Sequence, residues 1–367
     1  MISWPSSTWA DPRLVRGERS VALVHNPETE TLMFREAGEA SAVVARQRAK
    51  NSEVLANIGA RFRASRPRAI VTLARGSSDH AATYARYLIE RQAGVLTSSL
   101  SPSIASLYGT TPKFDDAVIL AISQSGRSPD LLAAAEQARA NGAFVIAMVN
   151  EGDSPLEAIA DLTVSLAAGP ERSVAATKSF IATLSATLSL LEAWLQDAAI
   201  GAALDQLPEK LQQAWALDWR SALPLLANAN SMYVVARGHG FGVAQEAALK
   251  LKETCAISAE AFSAAEVRHG PMTLVRDGFP VLLLGQADES LNGVIELARK
   301  CASFGATVIS AGVPDAPGTV LPTIAADPLI EPILEIASFY RFVNALALDR
   351  GRNPDQPPRL AKVTETV

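Results

Sequence analysis

A chain of 367 residues exceeds what one small core organises, and two domains are the starting expectation. Hydrophobic residues make up 49% of it and charged residues 19%, proportions that exclude a disordered, collagen-like or low-complexity protein. A net charge of −5 with no long run of either sign argues against a nucleic-acid groove built on phosphate neutralisation, although it leaves room for a local anion site.

Residues 1–33 hold Trp4, Pro5, Trp9, Pro12 and Pro27 without periodicity and read as an irregular arm. No basic segment followed by an apolar one opens the chain, so a cytoplasmic protein is expected. From Met33 to Phe62 the composition turns helical, with Val43, Val44, Leu55 and Ile58 spaced along one face. The period then changes. Ala69 to Ala74 and Ala117 to Ile122 are short apolar runs that break at Gly76 and at Ser123-Gln124-Ser125-Gly126. Helical segments follow them, Ala81 to Arg91 and Asp130 to Ala140, and a third apolar run spans Ala143 to Val149. This is the pattern of buried parallel strands joined by crossover helices. Phe180 to Leu195 is the longest apolar stretch, too short to span a bilayer comfortably and interrupted by Ser, Thr and Glu192. It reads as a buried helix, covered inside one domain or at a dimer contact.

An internal repeat organises the rest. Ala74-Arg75-Gly76 recurs 162 residues later (75 to 237) as Ala236-Arg237-Gly238, and at that spacing Gln124 falls on Gln286, each just after an apolar run. Two copies of one α/β unit are predicted, over 34–200 and 226–350, joined by a helical connection over 201–225 and followed by a tail over 351–367.

In such sheets ligands bind where strands end and helix N-termini begin. Gly76-Ser77-Ser78 and Ser123-Gln124-Ser125-Gly126 with Ser128 sit at that edge, and their hydroxyls and free N–H groups suit a phosphate. A serine there is also an ordinary helix cap, so one loop is uninformative and two neighbouring loops carry the argument. No Lys follows the glycines as in a P-loop, which favours a monophosphate. The second unit lacks the serines, Arg237-Gly238-His239-Gly240 and Gly285-Gln286-Ala287-Asp288 standing in their place, so one phosphate site per chain is expected. Glu246, Lys250 and Glu253 share one helix face at i, i+4, i+7, which by spacing alone describes a solvated stripe of ion pairs. His269 lies in a turn, where a lone histidine is structural, exposed or a proton carrier. His25, His80 and His239 show no recognisable pairing and are read as structural. The two cysteines, Cys255 and Cys301, stand outside any metal-ligand or disulfide spacing.

Ser123-Gln-Ser-Gly126, Ala248-Leu-Lys-Leu-Lys-Glu253, Ala259-Glu-Ala-Phe262, Val267-Arg-His-Gly-Pro271 and Arg359-Leu-Ala-Lys362 occur in this order within the tandem repeat. From about Phe34 onward the chain resembles the double sugar-isomerase (SIS) module of glucosamine-6-phosphate synthases. The resemblance implies an α/β fold of two tandem SIS domains, each a parallel sheet flanked by helices in the doubly wound, flavodoxin-like manner. It implies a phosphate held by Ser77, Ser78, Ser123, Gln124, Ser125 and Ser128, and a sugar against Gly76, Val174 and Ala176. It makes Glu253 the proton-shuttling carboxylate, His269 a ring-opening histidine reaching in from a neighbouring subunit, Lys362 a Schiff-base lysine and Lys250 a lysine that positions them. A homodimer follows, with no metal, cofactor, nucleic acid or membrane involved. At Ala176 synthase-like sequences commonly carry a serine, which leaves sugar identity open. The synthases place a glutaminase domain with an N-terminal cysteine nucleophile before this module, and this sequence has no cysteine before Cys255. The expected activity is therefore an amino-sugar-phosphate deaminase/isomerase, converting glucosamine-6-phosphate and water to fructose-6-phosphate and ammonia. The alternatives are a fructosamine-phosphate deglycase, a galactosamine-6-phosphate deaminase/isomerase, a non-catalytic sugar-phosphate sensor, or the acceptor subunit of a split amidotransferase.

Overall fold

A computed structural model describes residues 27–110 and 112–362. Most of the expected N-terminal arm, with Trp4, Pro5, Trp9, Pro12 and His25, lies outside them. Its last residues are not irregular: a 3-10 turn, Pro27–Glu30, leads into a helix, Leu32–Gly38. The helical composition expected from Met33 onward includes this helix, and its first turn is fixed by caps that the local sequence does not show. Thr31 Oγ1 accepts from Phe34 N at 3.1 Å, and Asp355 receives Leu32 N and Met33 N at 2.7 and 2.8 Å, placing a carboxylate on the helix N-terminus. Since Asp355 also accepts Val174 N on its backbone oxygen, at 3.2 Å, the C-terminal tail is tied down across both segments.

Among the described residues ten strands form two sheets. The first contains β1 (Ala69–Leu73), β2 (Leu96–Ser99), β3 (Ala117–Ser123), β4 (Phe144–Val149) and β5 (Leu162–Ser165) in the order β2-β1-β3-β4-β5. The second contains β6 (Ser231–Ala236), β7 (Ser258–Ser263), β8 (Pro280–Leu284), β9 (Thr307–Ala311) and β10 (Thr319–Leu321) in the order β10-β9-β8-β6-β7. All pairings are parallel, Ala69 opposite Ala117 and Tyr233 opposite Val281 at the two central ladders. Read from β7, the second sheet repeats the first strand for strand, so the sequence repeat is a repeat of topology. In each copy strand order reverses beside the first strand, between β1 and β3 and between β6 and β8, which is where a doubly wound sheet opens a crevice.

One apolar core runs through both copies and a separate one covers the far face of each sheet. The shared core is helical. Lys178–Leu195 is buried on nearly every face, packed by Ala40–Ala64, by Ala198–Ala216 and by Ser77–Leu88. Its apolar circumference is therefore satisfied within one chain and requires no second copy. The connecting segment 201–225 is helical for most of its length, and Leu204, Leu207 and Leu211 bury into this core. Among the described residues no helix is long and apolar enough to cross a membrane.

The first helix of each repeat, Ser77–Leu88 and Gly240–Cys255, meet face to face. Gly242 makes the approach possible, because a Cβ there would lie 2.5 Å from His80 O and 2.8 Å from Tyr84 N, both backbone atoms that cannot yield separately. Gly242→Ala is expected to cost about 1–3 kcal/mol of stability, read as a lowered midpoint in urea unfolding, by forcing these helices apart.

Candidate active site

The site forms at the reversal point of the first sheet. After β1, Gly76 turns the chain at φ 55° into the Ser77–Leu88 helix. After β3 the chain reverses within Ser123 to Gly126, where Ser123 Oγ accepts Gly126 N at 2.9 Å. Gly126 sits at φ 64°, and a Cβ there would meet Ser154 Oγ at 2.5 Å, so a side chain has neither the conformation nor the room. Ser128 precedes the Pro129–Ala140 helix without spending its side chain on a cap bond. Arg75 leans across to the buried Asp130, with Nη2 and Nε at 2.7 and 3.0 Å from one carboxylate oxygen, bracing the two loops together.

These loops open onto a cavity of about 350 Å³. Gly76, Ser77, Ser78, Ser123, Gln124, Ser125 and Ser128 line it, together with Val174, Ala176, Ser179, Phe180 and Thr183 from the segment after β5, and Glu253 and Lys362 complete it. The expected sugar-contact and phosphate-contact positions thus share one space with two of the four expected catalytic side chains. Size and mixed polarity suit a small polar ligand.

Behind Glu253 lies a buried charge cluster, and here the reading of Glu246, Lys250 and Glu253 as a solvated stripe fails. Glu246 is 0% and Lys250 1% exposed, because this face of Gly240–Cys255 is turned against the other repeat. Lys250 Nζ donates to Glu253 Oε2 at 2.5 Å and to Ser77 Oγ at 3.3 Å, and lies 3.3 Å from Glu246 Oε1. Glu246 also receives Ser77 Oγ at 3.1 Å, Tyr340 OH at 3.2 Å and the His80 ring at 3.1 Å. Burial by itself pushes the Glu246 carboxyl up, yet Lys250, His80 and Ser77 together outweigh it and hold it below the usual range. Burial likewise pulls the Lys250 amine down, and Glu246 and Glu253 more than restore it, so it stays a cation. Of this network the sequence reading singled out Glu246 only as part of a stripe, read His80 as structural without a partner, and did not mention Tyr340. The His80 and Glu246 partners are 166 residues apart, so no local spacing announces the pair. Ser77 has a second task as well, since its hydroxyl proton is given to Glu246.

Lys362 reaches the cavity from the tail, donating to Ser173 O at 2.7 Å and lying 3.5 Å from the buried Glu171. His269 does not join it: it ends the 3-10 turn Glu266–His269, is exposed, and is absent from the cavity wall in a single chain. The second repeat's crevice is filled from within, Gln286 donating to Arg237 O at 2.7 Å and to Ser290 Oγ at 2.9 Å with 1% of its surface exposed. His239 is held in the core by Pro328 O at 2.8 Å. Among the described residues no cluster of His, Cys, Asp and Glu has the makings of a metal site.

Comparison with known proteins agrees with this geometry. Residues 65–193 and 225–313 match the SIS domain family, covering the whole first sheet and four strands of the second. The glutamine–fructose-6-phosphate aminotransferase (isomerizing) of Aeropyrum pernix is 36% identical over 311 residues, 80% of this chain and 50% of that protein. That of Corynebacterium glutamicum is 33% identical over 316 residues, again 80% of this chain and 50% of the relative. The chain spans about half the length of the curated relatives it matches. Among solved structures, a Silicibacter pomeroyi protein described provisionally as a phosphosugar isomerase superposes with a TM-score of 0.84 at 39% identity, over 89% of this chain and 100% of that one. The glucosamine-6-phosphate deaminase of Thermotoga maritima shares the fold, with a TM-score of 0.71 at 22% identity over 92% of this chain and 100% of that one. With both repeats matched and a solved relative covered over its full length, the chain belongs to the SIS domain family.

Proposed function

We propose that this chain is a phosphosugar aldose–ketose isomerase that acts on an amino sugar, converting glucosamine-6-phosphate and water to fructose-6-phosphate and ammonia. The observation that carries the reading is the shared cavity, in which two serine loops at helix N-termini and a carboxylate bonded by a buried lysine face the same space. Relatives named for fructose-6-phosphate and for phosphosugar isomerisation support the substrate class.

In this proposal Ser78, Ser123, Gln124, Ser125 and Ser128 hold the phosphate, with Ser77 joining that loop to the charge cluster. Glu253 takes the C2 proton of the open-chain sugar and returns it at C1. One proton of the 2-amino group passes to O1 as that group becomes an imine at C2, so C1 becomes a hydroxymethyl group; water adds to C2, and ammonia leaves as the ketone forms, with no change of overall oxidation state. Lys250, by donating to Glu253, keeps the carboxylate aimed, and Lys362 exchanges its hydrogen bond to Ser173 O for a hydrogen bond to the ketose carbonyl oxygen. The chain's own thiols do not serve a glutamine-cleaving role: burial pushes Cys255 and Cys301 up to about 11. A second reading, a fructosamine-phosphate deglycase, is favoured by Ala176 in the cavity wall, where a methyl group leaves more room beside the sugar than a hydroxymethyl group.

Ammonia release from glucosamine-6-phosphate, galactosamine-6-phosphate and a fructosamine phosphate, without glutamine, tests the reading. Turnover of none of them sinks it. Ser125→Ala combined with Ser128→Ala is expected to raise KM by about a hundredfold with a smaller change in kcat, two hydrogen bonds to a charged group being removed. His269 contributes to the cavity of a second copy in this proposal, so activity per chain should fall on dilution in step with dimer dissociation measured by sedimentation.

A further inference from the structure

The second repeat contains its own counterpart of the sugar cavity. The first cavity is walled by the segment after β3, the helix that follows it, the segment after β5 and the first turns of Lys178–Leu195. A second cavity, of about 270 Å³, is walled by the matching parts of the other copy: Gly285 and Ala287 after β8, Leu291 in the next helix, Ile324 after β10, and the first turns of the Glu331–Asp349 helix. It lacks the side formed by the loop after the repeat's first strand, where Gln286 occupies the crevice. It reaches solvent beside Val320, which is 53% exposed.

Its polar lining is different. Where the first cavity presents serine hydroxyls and one carboxylate, Glu253, this one presents two carboxyl groups, Glu331 and Glu335, with Thr323 and Ser338, among apolar walls such as Leu291, Val313 and Ile324. Glu331 is engaged by Ala287 N at 2.7 Å and Ala326 N at 3.3 Å. Glu335 is 4% exposed, and its Oε1 is buried without a hydrogen-bond partner, a costly arrangement for so polar an atom. The structure assigns this second cavity to a small organic cation, a primary amine carrying a short apolar chain, with Glu335 as its counter-ion.

The charge balance follows from the surroundings. Burial first, and then the neighbouring Glu331, push the Glu335 carboxyl well above the ordinary range, against a backbone hydrogen bond from Gly285 that lowers it, so a proton and a cation compete for this group. The other charged group at this wall is Lys210, from the Ala198–Ala216 helix, whose Nζ donates to Ala325 O at 2.8 Å. An alkylammonium bound beside Glu335 favours its carboxylate, so a proton held there passes to solvent: the ammonium keeps its three N–H bonds, and the Glu335 O–H bond breaks. Affinity rises with pH until the amine itself loses its proton.

The probe is n-butylamine, with n-butanol as the uncharged equivalent. Calorimetry of the whole chain in two buffers of different ionisation enthalpy, together with methyl NMR of Val313 and Ile324, reports both proton release and place. Saturable binding of butylammonium with protons released rather than taken up, shifts at Val313 and Ile324, and affinity about tenfold weaker in Glu335→Gln are the expected results. Equal binding of butanol would show a merely apolar hole and overturn the assignment, as would proton uptake on binding. Shifts confined to the cavity of Val174 and Ala176, or no saturation with either probe, overturn it too. Because the NMR readout uses the native chain, the outcome stands even where Glu335→Gln folds poorly.

Discussion

Glu253→Gln lowers kcat by about two to four orders of magnitude while leaving the Kd for the phosphosugar within a fewfold of the native value. The expectation rests on where Glu253 stands. Among the described residues it is the one carboxylate that lines the cavity, and Lys250 Nζ holds its Oε2 at 2.5 Å. An amide keeps the shape and a hydrogen-bonding oxygen for Lys250 but has no basic lone pair to take a proton from carbon. Phosphate contacts come from other loops, so binding is spared. Isothermal titration for Kd and an ammonia assay for turnover separate the two effects. Retention of full activity in the variant would remove Glu253 from the chemistry, and loss of binding in parallel with activity would make it a structural residue of the pocket.

Lys250→Met is expected to cost about 3–5 kcal/mol of folding stability at neutral pH, because it strands the carboxylate of Glu246 in the interior. Methionine replaces the volume of the lysine stem, so the loss is electrostatic rather than a cavity effect. The pH dependence carries a sign that packing does not. In the native chain Glu246 is held low, so its stabilising contribution is present above its unfolded value of about 4.3 and is lost as pH falls through the still lower folded value. Lys250 is held high, so its contribution is present below its unfolded value of about 10.4 and is lost as pH rises through the folded one. In the variant burial dominates at Glu246 and raises it, and protonation at acid pH then relieves the strain. The gap between native and variant in urea unfolding should therefore narrow as pH is lowered from neutral. A gap that stayed constant would point to packing, and an absent gap would contradict the buried cluster.

What was legible in the sequence was whatever depends on near neighbours along the chain. The apolar runs before Gly76 and Gly126 fixed strand ends, since a buried parallel strand is a continuous hydrophobic segment and glycine marks where it turns. The offset from Arg75 to Arg237 exposed the duplication, and two sheets of one strand order bear it out. Serine loops placed beside β1 and β3 were bound to meet, because the two strands are adjacent in any sheet of this order. The helical composition read from Met33 onward covers the helix Leu32–Gly38, but what starts it was not legible: its N-terminus is capped by Asp355, more than three hundred residues away.

By itself, then, the sequence determined the α/β class, the repeat, the phosphate-type loops and the resemblance that singled out Glu253 and Lys362. Tertiary structure alone decided the electrostatics. A stripe of alternating charges on a helix is solvated or buried according to what packs on it, and here the approach allowed by Gly242 turned Glu246 and Lys250 inward against Ser77 and His80 of the other repeat. It also decided that Gln286 fills one crevice while Gln124 borders an open one, and that Glu335 lies in a second cavity. Periodicity describes which face a residue occupies, whereas burial, and with it the strength of every charge, depends on the partner that face meets.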